Sequence, residues 1–183
     1  MKQDSRIILE QIVNRKSREL CLEKQKWDTS ASIVTIFREE WHVFARLLHP
    51  LVSILEIQSS FYVEEEYIRA VWYPHPVMMT ADTRREFILF ANEANIELYS
   101  GGRFWCDENM DFAYEIVLPA EMAEKCEREA ARQLFDIPYS NFCDLHLPLV
   151  MLKRGSWKAD TAKRYLAELR ERGYVDNTKY DLW

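Results

Sequence analysis

The stretch from residue 90 to residue 119 constrains the fold more than any other part of the sequence. It reads FANEANIELYSGGRFWCDENMDFAYEIVLP. The pattern predicts the end of a helix, a short crossing through Gly101-Gly102, and a hairpin with strands Arg103–Cys106 and Phe112–Leu118. Large apolar residues alternate with Ala113, Glu115 and Val117 along the second strand. That alternation is typical of a sheet with one apolar face and one mixed face.

A second hairpin precedes this stretch. Val52–Val63 and Tyr67–Tyr73 are extended runs rich in β-branched and aromatic residues, and Pro74 and Pro76 are expected to end the second of them. Glu64-Glu65-Glu66 separates the two runs. Three adjacent carboxylates repel one another away from water, so they predict a solvated hairpin tip rather than an acid–base pair.

Helical patterns account for most of the remaining chain. We expect an amphipathic helix over residues 4–22, capped by Asp4 or Ser5, and a helix that starts at Thr80 or Asp82 and runs to about Asn95. Thr83 and Glu86 have capping-box spacing and mark an alternative start for the latter helix. Further helices are predicted over Ala120–Phe135, Asn141–Lys153 and Asp160–Arg172, with a break at Ile137-Pro138 and a stop at Gly173.

The segment Ile33–Leu48 is ambiguous. Its beginning is β-branched and aromatic, which favours a strand. Its large apolar residues also recur at helical spacing and stop before His49-Pro50, which favours a helix over residues 37–48. We adopt the helix as the expectation for residues 37–48.

These elements predict one α+β domain over residues 1–183. Its core covers 50–153, with an N-terminal helix at 4–22 and an extra C-terminal helix and tail at 156–183. An antiparallel sheet built from hairpins, with helices packed on one face, is the layer arrangement that buries both sets of apolar surface.

Composition and charge exclude several classes of protein. The formal net charge is −6, so the chain lacks the basic field of a general nucleic-acid or anionic-membrane binder. The basic residues Lys153, Arg154, Lys158, Lys163 and Arg164 form the one cluster, which we interpret as a solvated helix face; a local anion or partner patch is the alternative. No apolar run reaches the length of a membrane span, and we expect a cytoplasmic protein.

The cysteines predict neither a metal site nor a cofactor. Cys21, Cys106, Cys126 and Cys143 have no C-x-x-C spacing and no matching histidine pattern, so free thiols are expected. No phosphate loop or hydrolase motif is present. Cys143 and His146 lie three residues apart on a predicted helix. We interpret them as a buried thiol near a hydrogen-bonded imidazole, with a nucleophile and its base as the alternative.

The order of short motifs between residues 90 and 119 resembles the bacterial YbjN domain family. The features are an N-x-x-N pair at the helix end (Asn92, Asn95), a Gly-Arg-Phe strand (102–104), an acidic turn (107–109) and a Leu-Pro exit (118–119). The resemblance extends in element order over residues 50–153. It implies the fold of type III secretion chaperones, a chaperone-like and often dimeric domain, and no catalytic residues.

Four residues have candidate roles. Asn92 and Asn95 are expected to satisfy backbone groups where the helix ends and the sheet begins, with ligand contact as the alternative. Trp105 alternates with Phe104 and Cys106, so it is expected on the outer face of the sheet, either covered by a neighbouring side chain or the N-terminal helix, or open to a protein partner. Trp183 at the end of the sequence packs on its own domain or docks to a partner.

The sequence therefore predicts a non-enzymatic, chaperone-like protein-interaction domain that forms a homodimer or binds another protein. Trp105 and Trp183 are its candidate partner-binding residues. The alternative is a small enzyme or small-molecule binder with a pocket between sheet and helices, in which Cys143 and His146 would take part.

Overall fold

A computed structural model describes residues 7–12, 14–16, 31–37, 40–47, 55–75, 79–98, 101–173, 175 and 179–180. Residues 31–37, 40–47, 55–56 and 75 are described by their backbone alone. The predicted caps Asp4 and Ser5, the thiol of Cys21 and the candidate partner-binding residue Trp183 lie outside the described residues.

The strands form one six-stranded antiparallel sheet in the order β1-β2-β3-β4-β6-β5. The chain is therefore of the α+β class, and the prediction of an antiparallel sheet built from hairpins is confirmed. The strands are β1 (Ala31–Phe37), β2 (Glu40–Leu47), β3 (Leu55–Val63), β4 (Tyr67–His75), β5 (Arg103–Cys106) and β6 (Phe112–Pro119).

The helices lie before, between and after the strands. Residues 7–12 and 14–16 are helical and form α1. Downstream of the β5–β6 hairpin, a π-helical turn (Arg132–Asp136) leads directly into the longest helix of the described part of the chain. The other helices are α2 (Arg84–Glu97), α3 (Ala120–Lys125), α4 (Glu127–Ala131), α5 (Ile137–Lys153) and α6 (Ala159–Arg172).

The expected helix over residues 37–48 is wrong. This segment contributes the end of β1 and the whole of β2, and the register places Trp41 opposite Phe61 of β3. The apolar spacing that resembled a helix arises from two consecutive strands. β2 hydrogen-bonds to β1 on one side and to β3 on the other, so long-range pairing overrides the local periodicity.

The predicted acidic hairpin tip is confirmed. Glu64, Glu65 and Glu66 are all exposed between β3 and β4, so their carboxylates remain in water. The Glu64 N–H donates to the carbonyl of Tyr67 at 2.9 Å and closes the turn. The expectation that Pro74 ends the strand is wrong, because β4 continues to His75.

One buried cluster joins the sheet to the helices. Alternate residues of β4 and β6 enter it, and the intervening residues of those strands point to the other face. Since the helices supply most of the other residues of the cluster, they cover one face of the sheet, as predicted. The cluster includes Leu9, Phe61, Trp72, Phe90, Phe104, Phe112, Tyr114, Leu134, Phe142 and Leu166.

The helical segment after β6 differs from the prediction. The backbone of Cys126 leaves the helical region (φ −140°, ψ 58°), so the expected helix Ala120–Phe135 is divided there. The predicted helix break at Ile137-Pro138 is wrong, because the π-helical turn continues directly into α5 and Pro138 occupies the first turn of α5. Proline lacks an N–H for the carbonyl of Leu134 four residues earlier, and the Trp72 indole N–H donates to that carbonyl at 3.1 Å.

The predicted capping box at the start of α2 does not form. Thr83 precedes the helix, and it exchanges hydrogen bonds with Thr80 instead of with Glu86. The Glu86 carboxylate accepts a 2.9 Å hydrogen bond from the Ala159 N–H at the beginning of α6. A carboxylate at a helix N-terminus is favourable, and this one connects the two helices.

Candidate functional site

Much of the unusual chemistry between residues 90 and 119 has a structural role. The Asn95 side chain forms two hydrogen bonds with the backbone of Phe104: its Nδ2 donates to the carbonyl at 2.9 Å, and its Oδ1 accepts from the N–H at 2.6 Å. Phe104 lies in β5, the edge strand of the sheet. Asn95 therefore occupies backbone groups that an edge strand would otherwise present to another chain. Asn92 lies on the exposed side of α2.

Gly102 lets the chain approach the sheet closely. A Cβ atom at this position would lie 2.4 Å from Cζ of Tyr114 and 2.5 Å from the carbonyl oxygen of Glu115. The Gly102 N–H donates to the Tyr114 hydroxyl at 3.1 Å. The glycine is therefore required for space, and the buried tyrosine gains a polar partner from the same close approach.

Trp105 lies on the outer face of the sheet, as its position in β5 predicts. It is half-buried, and its ring meets the ring of Tyr73 edge to face at a centroid distance of 6.3 Å. The cover therefore comes from β4, which lies two strands away across β6, whereas α1 packs on the other face of the sheet. The indole N–H of Trp105 is buried, and it has no hydrogen-bond partner in the described part of the chain.

Polar and aromatic side chains surround Trp105 on this outer face. The Arg69 guanidinium lies 4.3 Å from the ring centre of Tyr62 and 3.6 Å from the Glu115 carboxylate. Arg103 contacts the same carboxylate at 3.2 Å. Val117, which lies opposite Arg69 on β6, is 51% exposed. This face therefore combines aromatic surface with paired charges, and helices do not cover it among the described residues.

Cys143 and His146 have different environments. Cys143 is exposed, whereas His146 is 2% exposed within α5. The interpretation of Cys143 as a buried thiol is therefore wrong. The thiol that is held in a desolvated place is Cys106: burial, with a smaller effect of the Asp107 carboxylate, raises its pKa to about 12. Such a thiol is protonated at neutral pH and a poor nucleophile.

The exposed face of α2 carries an apolar stripe. Ile88, Leu89 and Ile96 are 39%, 43% and 64% exposed, while the buried face of the same helix carries Phe87, Phe90, Ala91 and Ala94. The helix was predicted from the sequence, but this stripe was not. The signal was available, because apolar residues occupy both faces of α2 and a simple surface helix has them on one.

A cavity of about 860 Å³ opens between α1 and the segment that contains α4 and the π-helical turn. Its lining charges are Arg15, Lys16, Arg128, Glu129, Arg132 and Asp136. Sequence reasoning missed it, because α1 and α4 are more than a hundred residues apart. The space between sheet and helices, where a pocket was expected as an alternative, is filled by the apolar cluster in the described part of the chain.

The predicted basic cluster is a solvated helix face with internal partners. Lys163 forms an ion pair with Glu93 of α2 at 2.7 Å, and Lys158 lies 4.0 Å from Glu86. These contacts hold α6 against α2. In the tail, Tyr180 packs on Trp157 and Tyr165 with ring centroids 5.3 and 5.4 Å away.

Among the described residues, no three His, Cys, Asp or Glu side chains are arranged to hold a metal ion. None of the helices in that part of the chain is both long enough and apolar enough to cross a membrane. No protein-family model matches the chain, and no curated protein is significantly similar to it.

Proposed function

We propose that this chain is a non-enzymatic, chaperone-like protein-interaction domain that forms a homodimer through α2. The apolar stripe of Ile88, Leu89 and Ile96 is the observation on which the proposal rests. Single exposed apolar residues are common on protein surfaces, but three exposed on one side of the same helix favour an interaction surface. Such a patch is most stable when another apolar surface covers it.

The charges near the stripe favour a second copy of the chain as the occupant. Arg85 is exposed in the first turn of α2, and Glu97 is half-buried in its last turn. A twofold contact places the same helix of two protomers in antiparallel orientation. The stripe of one protomer would then meet the stripe of the other, with Arg85 of each near Glu97 of its partner.

The chaperone-like part of the proposal concerns the outer sheet face. Trp105 and Tyr73 offer aromatic surface there, and aromatic residues are the common anchors of protein interfaces. An α2 dimer would leave this face available for an apolar segment of a client protein. The order of hairpin, helix, hairpin and helices also supports the type III secretion chaperone-like arrangement, which is proposed on that ground alone.

The dimer is tested by light scattering of the purified protein after size-exclusion chromatography. We expect a dimer mass for the wild type and a monomer mass for the double variant Leu89→Gln/Ile96→Gln. Glutamine keeps helix propensity near that of leucine, so the far-ultraviolet circular dichroism should not change. Val117→Thr is the matched control, because Val117 is similarly exposed but lies on the sheet; it should remain dimeric.

Client binding is tested by pull-down with wild type and with Trp105→Ala. Loss of a captured partner in the variant, with its dimer intact, would support the role of the outer face. A wild-type protein that is strictly monomeric at high concentration and retains no partner would contradict the proposal.

A further inference from the structure

We propose that the cavity between α1 and α4 is a binding site for the phosphate group of a small metabolite. Four of its lining side chains are cationic: Arg15, Lys16, Arg128 and Arg132. They gather at one place in a chain with a formal net charge of −6. The cavity volume of about 860 Å³ lies within the range of small-molecule sites, which is roughly 300–1,000 Å³.

Carboxylates hold three of these cations in place. Arg15 lies 2.6 Å from Glu127, Lys16 lies 2.7 Å from Asp136, and Arg132 lies 2.8 Å from Glu129. A guanidinium has five N–H donors, and one carboxylate occupies only some of them. The ion pair with Glu129 therefore orients the Arg132 guanidinium through Nε and Nη2 and leaves its other N–H groups for a further oxyanion.

Arg128 is different, since it forms no ion pair with any side chain in the described part of the chain. Among the described residues, three of the four cations are paired with a carboxylate, and Arg128 is the fourth. A planar guanidinium binds phosphate oxygens through two parallel hydrogen bonds. Arg128 is therefore the side chain expected to contribute most to phosphate affinity.

The local backbone explains why the charges converge. The chain leaves the helical region at Cys126 and widens into a π-helical turn at Arg132–Asp136, so the segment is irregular at both borders of α4. Isolated π-helical turns are common at functional sites. Here the turn itself supplies Arg132 and Asp136 to the lining of the cavity.

Cys126 provides a direct readout, because its exposed thiol also lines the cavity. A ligand in the cavity should shield it from a bulky alkylating reagent. Cys143 is exposed on α5 outside the lining residues, so it serves as an internal reference in the same protein.

The experiment measures alkylation rates of Cys126 and Cys143 by peptide mass spectrometry, with inorganic phosphate or pyrophosphate and with sodium chloride at equal ionic strength. We expect both phosphate compounds to slow Cys126 labelling at least threefold with saturation, and to leave Cys143 unchanged. Arg128→Gln should raise the half-protecting concentration about 10-fold or more, as expected for the loss of a charge-assisted hydrogen bond. Arg154→Gln, an exposed arginine at the end of α5, should match the wild type.

Three results would overturn the proposal. They are equal protection by chloride and phosphate, equal protection by citrate and phosphate, or an unchanged half-protecting concentration in Arg128→Gln. Circular dichroism of each variant would confirm that the fold is retained. The dimer proposed above plays no part in this experiment, so either proposal can fail without the other.

Discussion

At the scale of single residues, Gly102 gives the sharpest prediction. In Gly102→Ala the new methyl group would lie 2.4 Å from the Tyr114 ring and 2.5 Å from a backbone oxygen, and neither can move easily inside the sheet. We expect a loss of about 2–3 kcal/mol in the free energy of unfolding, measured by urea denaturation.

The neighbouring glycine is a matched control. In Gly101→Ala the closest atom would be Oε1 of Gln133 at 3.3 Å, the end of a flexible side chain. We expect this variant to remain within about 1 kcal/mol of the wild type. Similar losses in both variants would show that the close approach at Gly102 is not what the fold requires.

Asn95 is predicted to protect the edge of the sheet. Asn95→Ala removes both hydrogen bonds to Phe104, at 2.9 and 2.6 Å, and should lower the free energy of unfolding by about 1–3 kcal/mol. It also exposes edge-strand backbone groups, so the variant should aggregate faster at high concentration, as followed by light scattering.

Asn92 provides the control for this prediction, because it lies on the same helix and makes no hydrogen bond to β5 in the described part of the chain. Asn92→Ala makes the same change in helix propensity, and we expect an effect within about 0.5 kcal/mol. Equal behaviour of the two variants would contradict the role of Asn95 at the edge strand.

At the scale of elements, the sequence predicted the structure well where local signals suffice. The bounds of β5 and the exposed Glu64–Glu66 tip agree with the structure, and α6 begins one residue before the predicted start. Each of these predictions depends on signals from neighbouring residues. The signals are alternation of side chains in the strands, charge repulsion at the tip and a glycine at the end of the helix. The prediction failed for β2, whose apolar residues recur at helical spacing. Its strand conformation depends on pairing with β1 and β3, which local spacing does not reveal.

The prediction of a helix break at Pro138 failed for a related reason. Pro138 has the local signature of a break, but its missing hydrogen bond is replaced by the Trp72 indole from β4. That compensation acts across 62 residues and cannot be read from the sequence near the proline. The candidate cavity also depends on residues far apart in the sequence, because its cations come from α1, α4 and the π-helical turn.

The contact between α5 and α6 makes stability depend on pH. Asp144 lies half-buried on α5, and burial raises its pKa, with a smaller opposing effect of Arg170 on α6. Tyr165 on α6 is also desolvated, which with the nearby Asp144 charge raises the pKa of its hydroxyl to about 12. The native state therefore disfavours the ionised form of Asp144.

Burial of the Asp144 carboxyl makes the folded protein less stable at neutral pH than at acid pH. The pKa of Asp144 is higher in the folded than in the unfolded protein. The free energy of unfolding therefore falls as the pH rises from about 4, the ordinary pKa of Asp, towards the folded pKa. Asp144→Asn should therefore raise the melting temperature at pH 7, and the gain should shrink as the pH falls below 4. Glu108→Gln, at an exposed hairpin tip, should show no such trend. A pH-independent effect of Asp144→Asn would contradict this account.

At the scale of the whole molecule, the class of fold was predictable and the strand order was not. The hairpins and helices required an antiparallel sheet with one covered face. Nothing local indicates that β6 inserts between β4 and β5, with Trp72 opposite Tyr114. That order places Trp72 at the centre of the covered face, where its ring meets Phe61 and Phe135 edge to face at 6.1 and 5.8 Å.

Trp72 therefore joins the sheet and the helices into one cooperative unit, and a double-mutant cycle tests this. Trp72→Phe leaves the buried Leu134 carbonyl without its donor and should lower the free energy of unfolding by about 2–4 kcal/mol. In a Pro138→Ala background, residue 138 regains an N–H that can serve the same carbonyl. Trp72→Phe should then be less destabilising by about 1 kcal/mol, and unfolding followed by circular dichroism and by fluorescence should remain one coincident transition. Strictly additive effects would show that the indole N–H and the proline are not coupled, and separate transitions would show that the layers unfold independently.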